Sequence, residues 1–366
     1  MIQKLVWENV RHRPLRTLLS ALLIAIPVTL VLTLVGLSRG MLEDHRRRTQ
    51  GVGADVLVRP KGASFMSGTT SAPIPEAMIA FLEKQPHVKL ATGIVVQPLS
   101  GPFSTAAGID LEKFTRMNGG FRFLSGGPFQ QKDDVIVDQY FAQEQKVRAG
   151  DTITLMNRQW TVRGIVEPGV LNRVFMDLRH LQDLTGNTGK LGQIYLKLDA
   201  PENTDTVIAS LKTLLEDYPI WSMKELATLY TMDNVPALRS FINVMIGIAM
   251  VIGFAVVCLS MYMAVLQRTR EVGILKSLGA SRAFILGMIL REAVLLAAVG
   301  TVLGIGLTFA GNWLLATLAP SSFPPSTVPD WWPMALLISL GGAVLGALYP
   351  GMRAASQDPI EALAYE

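Results

Sequence analysis

The chain has 366 residues, of which 50% are hydrophobic and 17% are charged, whereas soluble proteins carry about 25% charged residues. Together with a mean hydropathy of +0.35, this composition excludes an ordinary soluble protein and indicates membrane spans. The net charge of +4 identifies no partner, because basic residues beside spans account for much of it. The single cysteine, Cys258, excludes an intramolecular disulfide.

The N-terminal residues predict a surface helix followed by a first span. Apolar side chains recur on one helical face of residues 1–13, which predicts a cytoplasmic amphipathic helix over 1–14. A flexible basic leader is the alternative. Residues 17–38 carry no charge, and they match the ~20 residues that a span needs. We therefore expect an uncleaved anchor, TM1, over 15–38, bent at Pro27.

Most of the charged residues fall between residues 39 and 239, which predicts a large extracytoplasmic α+β domain. Short apolar runs typical of strands alternate there with runs of helical periodicity. Strands are expected at 55–58, 93–96, 135–137, 153–155, 161–166 and 194–198. Helices are expected at 75–84, 139–146, 178–184 and 204–216, followed by a connecting helix from residue 224 towards 240.

Turn-forming residues subdivide this domain. The segment 157–159 between two expected strands predicts a hairpin. Glycine and proline at 119–128 or near 168–171 predict a split into two lobes. The stretch 62–75 is poor in large apolar residues and predicts a mobile loop.

Three further apolar runs predict spans TM2 to TM4. They cover residues 240–267, 283–318 and 333–352, and none has an Asp, Glu, Lys, Arg or His at its centre, where a charge costs roughly 2.5–3.5 kcal/mol. Basic residues flank one side of the spans, so the positive-inside rule puts both termini in the cytoplasm and the 39–239 domain outside. The loop 319–332 is then extracytoplasmic, with Trp331 and Trp332 at its interface, and 353–366 is a cytoplasmic tail. The lack of ionisable groups at depth disfavours a secondary transporter of small charged solutes.

The segment 268–282, RTREVGILKSLGASR, predicts a short cytoplasmic helix between TM2 and TM3. Val272, Leu275 and Leu278 recur at helical spacing, and Gly279 suits a C-terminal cap. A helix held between two spans is a part on which a cytoplasmic partner could push. We call this segment the coupling helix.

Glycines at GxxxG spacing predict close helix contacts inside the membrane. They are Gly300 with Gly304 in TM3 and Gly342 with Gly346 in TM4. Small residues at this spacing let helix backbones approach each other, either within one subunit or between two. The pattern does not decide the oligomeric state.

The sequence predicts no catalytic, cofactor-binding or metal-binding residue. The GLSRG stretch at 36–40 fits a nucleophile-elbow pattern, but it lies at the end of a span and not between a strand and a helix. The LSGG stretch at 124–127 fits a glycine turn in the external domain. The 366 residues contain no GxxxxGK[ST] phosphate loop. The four histidines are scattered and form no short metal-binding motif.

Three motifs resemble the FtsX/MacB-type ABC transporter permeases. The coupling helix is similar to the REIGILRALGA segment of that family, Arg291 and Glu292 open TM3 in the same way, and the ending YPGMRAASQDPIEAL at 349–363 also matches. Residues 53–56 and 134–166 resemble a MacB-like periplasmic core domain. The resemblance covers nearly the whole chain, and it implies a membrane protein of four transmembrane α-helices, one before and three after a large α+β extracytoplasmic domain.

The resemblance also implies a function and partners. The expected partners are a dimer of cytoplasmic ABC ATPase subunits that bind ATP and Mg²⁺, a second permease copy in a homodimeric or paired assembly, membrane lipid, and in some assemblies a periplasmic adaptor. No nucleic-acid partner and no cofactor on this chain are expected. Residues of the coupling helix would dock on the ATPase: Arg270, Glu271, Gly273, Lys276, Leu278 and Gly279.

Three functions then compete for an inner-membrane, multi-pass chain. One is a permease that couples ATP hydrolysis to export of an amphipathic or hydrophobic cargo, such as a lipid, lipoprotein, peptide, drug or haem, by mechanotransmission. The alternative is a non-transporting FtsX-like regulator that activates an extracytoplasmic cell-wall hydrolase. A membrane-bound enzyme or receptor without an ATPase is disfavoured by the coupling helix and the C-terminal motif.

Overall fold

The structure is a computed structural model that describes residues 14–62, 73–99, 105–229, 236–266, 269–318 and 326–356. The expected helix over 1–14 therefore lies outside the described residues except for Pro14, as do residues 63–72 of the expected mobile loop. The chain forms two compact units. The span unit comprises Met1–Arg39, Pro236–Leu314 and Pro325–Glu366, and the α/β unit comprises Gly40–Val235 and Leu315–Pro324.

The described helices and strands are numbered here in chain order. The helices are α1 (Pro14–Gln50), α2 (Ala77–Glu83), α3 (Leu111–Asn118), α4 (Gln139–Gln145), α5 (Leu178–Leu184), α6 (Thr204–Leu214), α7 (Met223–Leu229), α8 (Pro236–Leu266), α9 (Thr269–Ser277), α10 (Arg282–Leu318) and α11 (Trp332–Ser356). The strands are β1 (Val56–Val58), β2 (Ile74–Pro75), β3 (Val88–Pro98), β4 (Thr105–Ile109), β5 (Phe123–Gly126), β6 (Asp134–Asp138), β7 (Thr152–Leu155), β8 (Arg158–Val166), β9 (Val174–Asp177), β10 (Lys190–Leu191), β11 (Gln193–Leu198) and β12 (Ile220–Ser222).

Four helical segments among the described residues are long and apolar enough to cross a membrane: Leu18–Gln50, Ser240–Ser260, Arg282–Leu318 and Pro329–Ser356. The first three lie in α1, α8 and α10, and the fourth consists of α11 and the short turn before it. The predicted fold class, with one span before and three spans after a large domain of helices and strands, is confirmed. The bend expected at Pro27, which lies inside α1, stays a prediction.

Helix α1 runs further than the sequence led us to expect. Charged residues begin at Arg39, where the predicted span TM1 ends, but the helix itself continues to Gln50. Ion pairs one helical turn apart stabilise this extension: Glu43 pairs with Arg46 and Arg47, and Asp44 pairs with Arg48. The helix ends where Gly53 takes a left-handed φ of 71°, a conformation that favours glycine.

The α/β unit is built on one mixed sheet whose two faces are both buried. The strand order is β12-β1-β11-β3-β4-β9-β6-β8-β5, with β7 paired to β8, and β10 and β2 form a separate pair. Along β1, Val56 and Val58 face one apolar cluster, while Leu57 between them faces another. This alternation follows from the two-residue period of a strand, and it places helices and loops on both faces.

A repeated junction leads from strand to helix in this unit. Asp110, Asp138 and Asp177 each stand at the end of a strand, and each carboxylate accepts a hydrogen bond from a backbone N–H of the next helix. An aspartate at this N-cap position satisfies a donor that the first helical turn leaves unpaired. Helix α3 begins at such an aspartate but was not predicted from the sequence. The strands that were not predicted are β2, β4, β5, β9, β10 and β12.

Several predicted boundaries were wrong for local reasons. Helix α2 begins at Ala77 because Ile74 and Pro75 pair as a strand with Leu191 and Lys190. Ile74 and Pro75 therefore belong to a strand and not to the mobile loop expected over 62–75. Further boundary corrections apply to two helices: α4 ends at Gln145, before Lys146 with φ 56°, and α6 ends at Leu214. The expected connecting helix from residue 224 towards 240 is described only as α7 up to Leu229 and as α8 from Pro236, and residues 230–235 between them lie outside the described part of the chain.

The predicted division into two lobes is wrong. Strand β9 follows the 168–171 stretch directly and pairs with both β4 and β6, so the sheet is continuous across both proposed boundaries. The predicted hairpin is confirmed, since β7 and β8 pair antiparallel. Its turn consists of Met156 and Asn157, both with positive φ, because Arg158 already pairs with Leu155.

A buried ion network fixes the extension of α1 within the α/β unit. The Arg173 guanidinium lies 2.9 Å from a carboxylate oxygen of Asp44 on α1 and 2.9 Å from one of Asp138 at the end of β6. The backbone N–H of Leu171 donates to the Arg48 carbonyl at 2.8 Å. Burial raises the pKa of the Asp138 carboxyl, and the Arg173 guanidinium opposes that rise. Arg173 thus holds two carboxylates that have little access to water.

We expect Arg173→Met to lower the free energy of unfolding by about 3–5 kcal/mol, because it leaves two buried carboxylates without their shared cation. The matched control is Arg122→Met, since the Arg122–Glu167 pair is exposed and such pairs contribute about 0–1 kcal/mol. Chemical unfolding of the full chain in detergent measures both. Equal losses in the two variants would contradict the role given to Arg173.

Candidate functional site

Helix α9, which lies within the coupling helix segment 268–282, has one buried and one exposed face. Val272 is 4% exposed and packs in a cluster with Val265 of α8, Ile285 of α10 and Ala354 of α11. On the other side Ile274 and Leu278 are 44% and 79% exposed. The three neighbouring spans therefore hold α9 on one face and leave an apolar edge open on the other.

The turn after α9 is fixed by hydrogen bonds. Gly279 has a φ of 92°, its N–H donates to the Lys276 carbonyl at 3.0 Å, and the Ala280 N–H donates to the Leu275 carbonyl at 2.9 Å. This is the Schellman arrangement that ends a helix at a left-handed glycine. The Ser281 hydroxyl then accepts from the Phe284 N–H at 3.2 Å and caps α10. The orientation of α9 relative to α10 is thereby defined, as the expected capping role of Gly279 requires.

Lys276 contacts a residue 79 positions further along the chain. Its Nζ donates to the carbonyl of Ala355 at 3.1 Å, close to the C-terminal end of α11. A cation is favourable there, because the last carbonyls of a helix carry partial negative charge. Helix α9 is thus tied to α11 as well as to its chain neighbours α8 and α10.

The structure separates the residues that we expected to dock on an ATPase. The side chains of Arg270 and Glu271 lie outside the described part of the chain. Gly273 is on the buried face and Lys276 reaches towards α11, whereas Leu278 and Gly279 are exposed. Ile274 joins them on the exposed edge. Its i, i+4 spacing from Leu278 is a signal that could have identified it.

Two of the glycines named for helix packing lie against α1. A Cβ added to Gly300 would come within 2.8 Å of Ile24 Cβ, and one added to Gly304 within 2.8 Å of Val28 Cβ. The Thr29 hydroxyl also donates to the Gly304 carbonyl at 3.1 Å. Helices α1 and α10 therefore approach more closely than side chains at these positions would permit.

The other two glycines lie on α11. A Cβ added to Gly346 would come within 2.8 Å of the Phe254 carbonyl oxygen of α8, whereas one added to Gly342 would meet ordinary van der Waals contact at 3.9 Å from the Phe254 nitrogen. Gly346 is thus the closer point of contact between α11 and α8. All these contacts lie within one chain, one of the two possibilities that the GxxxG pattern left open.

Models of two protein families match the chain. Residues 17–214 match the MacB-like periplasmic core domain, and residues 243–359 match the FtsX-like permease C-terminal region. The chain belongs to the FtsX/MacB-type ABC transporter permeases. The resemblance that the motifs indicated is confirmed.

Curated relatives extend the match along the chain. YvrN, an uncharacterized ABC transporter permease of Bacillus subtilis, is 24% identical over 415 residues that cover 99% of each chain. The macrolide export ATP-binding/permease protein MacB of Escherichia coli K12 is 26% identical over 99% of this chain. YknZ, an uncharacterized ABC transporter permease of B. subtilis, is 37% identical over 154 residues. The matched regions span 60% of MacB and 37% of YknZ.

Two solved structures are similar to part of the chain. The periplasmic region of MacB from Actinobacillus actinomycetemcomitans is 16% identical with a TM-score of 0.37, covering 49% of this chain and 94% of that one. The extracellular domain of the noncanonic ABC-type transporter YknZ is 14% identical with a TM-score of 0.35, covering 46% and 98%.

We expect Gly300→Val to destabilise the span unit by about 1–3 kcal/mol, because its side chain would overlap Ile24 and force α1 away from α10. Gly306→Val on the same helix is the matched control, since an added Cβ there meets no atom of the described chain within 4 Å. Detergent-induced unfolding of the full chain compares them. A Gly306 variant as unstable as the Gly300 variant would contradict this packing.

Proposed function

We propose that the chain is the permease subunit of an ABC transporter that works by mechanotransmission. A separate cytoplasmic ATPase dimer would bind α9, and its closure on ATP and Mg²⁺ would move the spans and through them the external domain. The observation that carries the proposal is the position of α9: it packs on three spans through Val272 and leaves Ile274 and Leu278 open to a partner. In this proposal both termini and α9 are cytoplasmic and residues 39–239 are outside.

ATP hydrolysis is assigned to a partner chain for a chemical reason. Phosphate binding in ABC ATPases needs a GxxxxGK[ST] loop whose backbone N–H groups surround the phosphates, and these 366 residues contain no such sequence. The relative MacB of Escherichia coli is a macrolide export ATP-binding/permease protein, which supports a functional link between ATP binding and the permease. A second copy of the permease would complete the assembly.

The proposed cargo is amphipathic or hydrophobic and is not a small ion. An open groove of about 680 Å³ lies between α1, α8 and α10 and is lined almost wholly by apolar side chains, among them Ile26, Leu30, Met245 and Leu314. Such a surface suits an acyl chain or another apolar moiety. The alternative remains a regulator of an extracytoplasmic hydrolase, which needs no such groove.

The exposed apolar edge of α9 predicts co-purification with an ATPase. The full chain, tagged and extracted in mild detergent, is expected to bring down an ABC ATPase, with a periplasmic adaptor as a possible additional component. Leu278→Asp should lose the ATPase, because docking would bury an unpaired carboxylate. Leu214→Asp, at an exposed leucine of the α/β unit, should retain it. Absence of any ATPase from the wild-type preparation would refute the proposed function.

The turn at Gly279 supplies a test of coupling. Proline fixes φ at about −65°, which is incompatible with the φ of 92° at Gly279. Gly279→Pro should therefore misorient α9 without removing a span. We expect normal membrane insertion but loss of the ATPase stimulation that the chain provides. Gly287→Ala in α10, where an added Cβ has open space, is the control. Unchanged stimulation in the proline variant would count against docking through α9.

Export and regulation predict different consequences of deleting the chain. An export permease predicts accumulation of a hydrophobic cargo in the inner membrane, whereas a regulator of a hydrolase predicts a cell-separation defect with unchanged lipid and lipoprotein distribution. Lipid and lipoprotein analysis of fractionated membranes, together with microscopy, separates the two.

A further inference from the structure

Lys276 contacts the C-terminal end of α11. At the other end, the chain that leads into α11 makes polar contacts with α1. The N–H and the hydroxyl of Ser326 both donate to the Gly36 carbonyl, at 3.3 and 2.8 Å. A Cβ added to Gly36 would overlap the Ser326 carbonyl oxygen, so the glycine permits this approach. The GLSRG stretch at 36–40, whose sequence fits the nucleophile-elbow pattern, is therefore part of helix α1 and contacts Ser326.

An arginine–aspartate pair completes the contact one helical turn further along α1. Arg39 Nη1 lies 2.8 Å from one carboxylate oxygen of Asp330, and Nη2 lies 2.7 Å from the other. Two parallel hydrogen bonds fix the orientation of both groups as well as their distance. Exposed pairs of this kind add little stability, and these side chains are 38% and 56% exposed. We call Gly36, Arg39, Ser326 and Asp330 the outer clasp.

Apolar packing below the outer clasp holds the incoming chain in place. Val328 is 3% exposed and, with Leu32 of α1 and Trp332 of α11, lines a cavity of about 10 Å³. The Trp332 ring also contacts the Phe309 ring of α10 at 6.1 Å between centroids. Since Asp330 lies in the 3-10 turn Pro329–Trp331, which leads directly into α11, the clasp joins the start of α11 to α1.

Helix α11 is consequently attached to α9 at one end and to α1 at the other. Its 25 residues correspond to about 37 Å at 1.5 Å per residue, enough to cross the apolar part of a bilayer. The glycine contacts between α1 and α10 set a spacing, but they contain no charged pair that resists sliding along the helix axis. The outer clasp does contain one.

We propose that α11 transmits the movement of α9 to α1, and that the outer clasp is the point at which it acts on α1. The inference rests on the proposed mechanotransmission and adds to it the route and the positioning residues. When the ATPase tilts α9, Lys276 and the packing around Ala354 displace α11, and Asp330 then shifts Arg39. Because α1 continues unbroken to the Arg173 network, the α/β unit receives this movement.

Hydrogen exchange of the complete complex with its co-purified ATPase, in lipid nanodiscs, tests the route. Exchange in residues 40–229 is measured without nucleotide and with ATP plus vanadate, and ATP hydrolysis is measured in parallel. Arg39→Asp is expected to abolish the nucleotide-dependent difference while hydrolysis continues. The exchanged pair Arg39→Asp with Asp330→Arg is expected to restore it, and continued ATP hydrolysis by the Arg39→Asp complex shows that the single variant folds. Gly36→Ala is expected to abolish the difference without any change of charge.

Arg46→Asp is the matched control, because the carboxylate partner of Arg46, Glu43, lies on the same helix and not on α11. It should leave the difference unchanged. A wild-type complex without a nucleotide-dependent difference would refute mechanotransmission, and the clasp inference would fall with it. A difference that persists in Arg39→Asp and Gly36→Ala would overturn the clasp inference alone. So would a loss in Arg39→Asp that the exchanged pair fails to reverse.

Discussion

The continuity of helix α1 is the constraint on which the rest of the structure depends. Its first residues belong to the span unit and its last residues to the α/β unit, with no break between Pro14 and Gln50. Backbone hydrogen bonds keep the rise per residue of a helix nearly constant, and the segment from Gly36 to Gln50 contains no proline that would remove one, so an axial displacement at Arg39 would be passed on to Asp44. The contacts of α1 with other elements matter because a helix of constant rise per residue passes a displacement along its axis.

Three kinds of contact control α1 along its length. Glycines of α10 let it pack closely within the membrane, the outer clasp joins it to α11, and Arg173 binds the extension through Asp44. The first is apolar and depends on shape, while the other two are ionic and depend on orientation. The bidentate geometry of the Arg39–Asp330 pair fixes the relative orientation of the two groups, although the exposed pair adds little stability.

The sequence was a good guide to the parts that lie in the membrane and a poor guide to the contacts between them. Runs without charge defined the spans, since few other environments accept such segments. The charge at Arg39 marks the predicted end of TM1, but it does not end helix α1, because the pairing of Asp44 with Arg48 stabilises its continuation to Gln50. Glycine and proline suggested lobes because turns within a continuous sheet use the same residues as linkers between lobes.

Contacts that join residues far apart in the chain could not be predicted. Nothing local to Lys276 indicates Ala355, and nothing local to Arg39 indicates Asp330, because both pairs form only when the spans assemble. The capping role of Gly279, by contrast, was predictable, since it depends on a few neighbouring residues. The family match supports the function proposed for α9, whereas the proposed route from α9 to α1 rests on contacts that only the structure shows.

The central claim is that α9 faces a cytoplasmic motor while the sheet domain faces outward, and residue accessibility tests it most directly. Single cysteines at Leu278 and Leu124, each in a Cys258→Ser background, are treated in intact cells with a membrane-impermeant maleimide. In a Gram-negative cell the outer membrane is first made permeable. With α9 cytoplasmic, Leu124→Cys is labelled in intact cells, and Leu278→Cys is labelled only after the inner membrane is opened and the ATPase that would cover Leu278 is stripped from the membrane. Equal labelling of both residues in intact cells would contradict it.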